Sequence, residues 1–133
     1  MHPFAASGRI LSVSDHESIR TSRELLLQSV GYSVVSLPSY SVSQEKLPND
    51  LEIAVIGQTV DDLTASVIAA TLHRTQADIR ILRLTAQYSR PDSGFDSGCF
   101  VEDGPGRFLC CVAELITKAK TTTDAKTLPS VGS

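Results

Sequence analysis

The chain has 133 residues, 41% of them hydrophobic, with a formal net charge of -3. That length suits one domain with its own core, and the mild acidity argues against nucleic acid as the main partner. Aromatic residues make up 5% with no Trp, which removes stacking platforms for single strands, and no apolar run is long enough for a membrane span.

Residues 1–8 lack the basic start and long apolar centre of a signal peptide and read as a flexible tail. Cys99, Cys110 and Cys111 have no zinc-site spacing, and their odd number fits a disulfide framework poorly, so a reducing cytoplasm is expected. Arg9 to Ser14 reads as a first strand. Ser14 and Glu17 then form a candidate capping box for a helix running to about Val30. Ile19, Leu25, Leu26, Leu27 and Val30 supply its expected apolar face, and Gly31 stops it. Tyr32 to Leu37 is a second strand, ended by Pro38; residues 39–50 are polar and hold a weak helix at best.

Leu51 to Gly57 is the most continuous apolar run, rich in β-branched residues, and reads as a strand buried on both faces. Ligand sites in such sheets lie beyond the carboxyl ends of the strands, which puts Gln58 at the functional edge. Thr59, Asp61 and Asp62 open the next helix, with Leu63, Val67, Ile68, Ala70 and Leu72 as its expected buried side, and it ends near Thr75. Asp78 to Thr85 is a fourth strand. Residues 86–98 contain Pro91 and Gly94, so a long helix there is not expected. Cys99 to Val101 is a brief fifth strand. Gly104-Pro105-Gly106 leads into a last helix whose buried side is Phe108, Leu109, Val112, Leu115 and Ile116. Residues 121–133 read as a disordered tail, leaving 9–120 as the domain.

Strands alternating with helices imply an α/β, flavodoxin-like, doubly wound parallel sheet in the order 2-1-3-4-5, with the fourth helix shortened or missing. The strings ILSVSDHESIRTSRELLLQSVGY, LEIAVIG, ILRLTA and SGCFVE resemble the bacterial response-regulator receiver domains of two-component signal transduction, over about residues 9–120. The resemblance implies a phosphorelay role, in which a histidine kinase phosphorylates an aspartate after the third strand. It also implies magnesium held by two acids after the first strand, a Thr or Ser ending the fourth strand and a Lys ending the fifth. In this chain the phosphoacceptor position falls on Gln58 and the acid pair on Ser14 and Asp15. Thr85 is retained, the Lys position falls on Glu102, and the proline after it on Asp103. The aromatic switch position falls on Cys99, or on Phe100 with a shift of one.

An amide cannot form an acyl phosphate, and one carboxylate is a poor holder for magnesium. The resemblance therefore points to a degenerate, pseudo-receiver variant. Such a variant would be a non-enzymatic signalling or adaptor module acting by protein–protein contact with an unidentified signalling protein, with pairing of two copies through the last helix as an option. Two alternatives compete with it. One is an atypical phosphoacceptor using Asp61 or Asp62, and the other is a small-ligand or divalent-cation binder at the carboxyl edge, with Asp15 and Glu102 as a weak magnesium pair. No cofactor is otherwise implied. His16 and His73 read as solvated helix residues, and Cys110 and Cys111 as core filler. The turn at Gly104-Pro105-Gly106 lacks the Lys-Ser/Thr of a phosphate loop.

Overall fold

A computed structural model describes residues 8–85, 95–101 and 104–127, without side-chain detail at Phe100 and 117–127. Its elements run β1 (Arg9–Val13), α1 (Glu17–Ser29), β2 (Ser33–Leu37), a single 3-10 turn (Ser39–Ser41), β3 (Leu51–Ile56), α2 (Asp62–Thr75), β4 (Arg80–Thr85), β5 (Ser97–Phe100) and α3 (Gly104–Thr127). All five strands are parallel, in the order β2-β1-β3-β4-β5. This is the expected sheet. The stretch between β4 and β5, where the fourth helix was expected to be shortened or missing, lies at 86–94, outside the described residues.

Two cores sandwich the sheet, because alternate strand residues point to opposite faces. Ile53 and Val55 of β3 and Leu82 and Leu84 of β4 meet Leu27 of α1 and Phe108, Val112 and Leu115 of α3. Ala54, Ile56 and Ile81 meet Ala65, Ile68, Ala69 and Leu72 of α2. The central strand is thus covered on both sides, as its unbroken apolar run required. Gly31, at φ 105°, ends α1 in the left-handed region that a side chain disfavours, and its N–H donates to the Gln28 carbonyl.

Several local expectations are corrected. Ser14 does not cap α1: the cap residue is His16, without a side-chain cap bond, and Ser14 is buried at the strand edge. Leu25 is 61% exposed and Val30 38%, so the buried side of α1 is narrower than its leucines suggested. On α2 the buried stripe is Ala65, Ile68, Ala69 and Leu72, while Leu63 is 77% and Val67 57% exposed and Ala70 faces outward too. The helix buries one i, i+3, i+4, i+7 stripe that pairs Ile68 and Leu72 with two alanines, and leaves Leu63 and Val67 off it. The strand β5 begins at Ser97 rather than Cys99. Cys111 is core but Cys110 is exposed. The last helix continues through Thr127, into the stretch expected as a tail.

Candidate site at the carboxyl edge of the sheet

The strands β1 and β3 end side by side, with Val13 paired to Ile56. The next residue of each chain segment, Ser14 and Gly57, forms the floor of the edge. The Gly57 N–H donates to the Val13 carbonyl at 2.8 Å. Gly57 is tightly enclosed: a Cβ there would lie 3.0 Å from the Val13 carbonyl oxygen and 2.7 Å from Arg23 Nη1. It would also stand 3.6 Å from the Ser14 Cβ. Such approaches exclude an ordinary side chain unless Arg23 moves. The residue abutting Ser14 at the end of β3 is therefore Gly57, and Gln58 stands one step beyond it.

Gln58 does not point freely into solvent. Its Oε1 accepts from Arg23 Nη2 at 3.0 Å. Arg23 comes from the middle of α1, and its guanidinium carbon is 5.9 Å from the centroid of the Phe108 ring, within cation–π reach. Its Nη1 is buried with no hydrogen-bond partner among the described residues. Burial pushes the Arg23 pKa below its usual value, opposed by the electrostatic effect of Cys99.

Thr59 joins the two strand ends. Its Oγ1 lies 3.0 Å from Ser14 Oγ and accepts from the Asp15 N–H at 2.9 Å. The Asp15 carboxylate turns the other way, toward the end of β2. One oxygen accepts from the Ser39 N–H at 2.7 Å and the other from Ser39 Oγ at 2.8 Å. Both oxygens are thus occupied in tying the β1 exit to the β2 exit. Among the described residues no group of three or more His, Cys, Asp or Glu could hold a metal ion.

On the opposite face a second arginine closes the edge. Arg83 of β4 is 4% exposed. It donates to the Gly57 carbonyl at 2.7 Å, to the Val60 carbonyl at 2.6 Å and to Asp62 Oδ1 at 2.9 Å. Asp61 caps α2 by accepting from the Thr64 N–H at 2.8 Å. That backbone bond, aided by the Thr64 hydroxyl, holds its pKa below the usual aspartate range. Asp61 and Asp62 are thus engaged in helix capping and an ion pair.

Of the other expected site residues, Thr85 is buried at the end of β4 and paired to Phe100 of β5. Cys99 is buried in the core beneath α1 and α3 and paired to Leu84. Glu102 and Asp103 lie outside the described residues. The structure brings Ser14, Gly57, Gln58 and Thr59 together and adds three residues that sequence reasoning missed: Arg23, Ser39 and Arg83. Two of them carried a signal. Arg23 falls at helical spacing between Ile19 and Leu26, on the inward side of α1. Arg83 falls two residues after Ile81 and so shares its buried face.

No family model and no curated protein matches the chain. Solved structures do. A receiver domain protein from Methanospirillum hungatei JF-1 superposes with a TM-score of 0.70 at 18% identity, over 88% of this chain and 99% of that one. The signal receiver domain of an HD domain-containing protein from Pseudomonas fluorescens Pf-5 gives 0.72 at 11% identity, over 87% and 99%. The response regulator TrrA from Thermotoga maritima, solved in complex with the histidine kinase ThkA, gives 0.67 at 19% identity, over 81% and 97%. The chain has the receiver fold. At the exits of β1 and β3 this chain offers Ser14, Asp15, Gly57 and Gln58. Among the described residues no helix is long and apolar enough to cross a membrane.

Proposed function

We propose that the chain is a receiver-like signalling module that does not accept a phosphoryl group and acts by contact with another signalling protein. One observation carries this reading: the exit of β3 holds no carboxylate. Gly57 has no side chain, and the Gln58 amide is bonded to Arg23. An acyl phosphate needs a carboxylate oxygen as nucleophile, and a carboxamide does not supply one. Asp61 and Asp62 do not replace it, because the first caps α2 and the second pairs with Arg83.

Magnesium fits this donor set poorly. It takes oxygen ligands in a near-octahedral arrangement, and the Asp15 carboxylate turns away from the β3 exit toward Ser39. The weak magnesium site expected at Asp15 is therefore not part of the proposed function. Contact with a protein partner is supported by the exposed Leu63 and Val67, one turn apart on α2, which leave an apolar strip outside the core. That the similar TrrA was solved with a histidine kinase makes a protein of a two-component system the favoured class of partner.

Incubation with acetyl phosphate and magnesium, followed by intact mass measurement, tests the reading. No phosphoryl adduct is expected, and an adduct on any aspartate would defeat it.

A further inference from the structure

A cavity of about 300 Å³ opens between α1 and α3, beside the edge just described. That volume is at the low end of the roughly 300–1,000 Å³ typical of small-molecule pockets. Its walls are largely apolar, with Leu26, Leu84, Val101 and Phe108 among them, and Ser22 at its margin. Arg23 also lines it. A cation in such a setting is costly unless its donors are paired. Among the described residues Nη2 bonds to the Gln58 oxygen, while Nη1 is buried without a hydrogen-bond partner.

We propose that this cavity binds a small organic carboxylate, with the charge received by Arg23 and the apolar body held by Leu26, Leu84, Val101 and Phe108. A carboxylate matches the planar fork of a guanidinium. Nη1 now packs against Gly57, 2.7 Å from where a Cβ there would stand, so the side chain must swing from the strand edge toward the cavity to present it to the ligand. One negative charge is what the site can neutralise. A phosphate dianion would bring a second charge into mostly apolar walls, and a neutral hydrocarbon would leave Nη1 unpaired. The lowered pKa of Arg23 has the same origin, since burial without a full set of partners disfavours the charged form. The ligand would also act on the strand edge. The guanidinium that receives it is the one bonded to Gln58, so occupancy of the cavity is transmitted to the exit of β3.

The experiment is a backbone amide NMR titration of the full chain with benzoate, phenylacetate and hexanoate, and with benzamide as the neutral match to benzoate. Saturable shifts are expected around Arg23, Leu84 and Phe108 with at least one of the acids. Benzamide should bind at least about tenfold more weakly than benzoate, the scale of one charged hydrogen bond. Arg23→Gln should abolish that preference. Ser22→Phe, a change at an exposed residue of the cavity margin, should block binding while leaving the fold intact. The proposal is overturned if none of the acids gives saturable shifts, if the shifts fall elsewhere, if benzamide binds as well as benzoate, or if Ser22→Phe binds unchanged. The benzamide and Ser22→Phe arms decide the matter even if Arg23→Gln fails to fold. Failure here leaves the phosphorylation test untouched, because the cavity and the missing carboxylate are separate observations.

Discussion

Two arginines flank Gly57 from opposite faces of the sheet, and they are used in opposite ways. Arg83 is almost wholly buried and spends its donors on two backbone carbonyls and Asp62. It pins the loop between β3 and α2, whose carbonyls at Gly57 and Val60 would otherwise lack these donors. Arg23 is partly buried and under-used: one bond to Gln58, one ring contact with Phe108, and an Nη1 against Gly57 that has no hydrogen-bond partner among the described residues, in a side chain that also lines the cavity. A satisfied buried cation is architecture, whereas an unsatisfied one is capacity held for something else.

Substitution should separate the two. Arg83→Met removes the side-chain donor from two buried carbonyls, leaving that of Gly57 with the Val60 N–H alone, and should cost roughly 2–4 kcal/mol by urea denaturation. Most of this comes from the carbonyls, because Asp62 is largely exposed and its ion pair contributes little. Gly57→Ala should cost about 1–3 kcal/mol, since the new methyl meets the Val13 carbonyl and Arg23 Nη1. Combined with Arg23→Met, the cost of Gly57→Ala should fall, because one of its two obstacles is gone; strict additivity in the double-mutant cycle would show that Arg23 is not pressed against Gly57. Arg23→Met alone should stay within about 1 kcal/mol of the parent, since it trades an incompletely paired buried cation for an apolar side chain of similar length. A loss as large as that of Arg83→Met would erase the contrast.

The smallest effect concerns pH at the far end of the same loop. Asp61 has a folded pKa below its unfolded value, because the charged form accepts from the Thr64 N–H. Its contribution is therefore complete above the unfolded value of about 3.9 and is lost as pH falls through the lower folded one. The protection factor of the Thr64 amide, its exchange relative to an unstructured amide at the same pH, should fall below about pH 4. In Asp61→Asn, which keeps an acceptor without the charge, this acid-dependent component should disappear.

Much of the fold was legible because its determinants are local. The apolar run at 51–57, β-branched and bounded by turn residues, reads as a strand covered on both faces, and Gly31 marks the end of α1. The helix faces were less legible. On α2 the expected Ile68 and Leu72 are buried, but Leu63, Val67 and Ala70 are exposed and Ala65 and Ala69 complete the helical stripe instead. The site was legible in what it lacks and not in what it contains. The absence of an acid after β3 can be read from Gly57-Gln58. The Ser14–Thr59 and Asp15–Ser39 bonds join residues far apart in the chain, and nothing in local pattern selects those partners. Arg23 and Arg83 each occupy an inward position, and an inward charge is the available sign that cations stand on both faces of this edge.

The most direct test of the proposed reading of this edge is an amide NMR titration with beryllofluoride and magnesium, which together mimic a phosphorylated aspartate and its metal. The account predicts that the resonances of Asp15, Ser39, Gln58 and Thr59 stay where they are. Saturable shifts at those four residues would contradict it, because they would mean that a carboxylate at this edge still accepts the phosphoryl mimic.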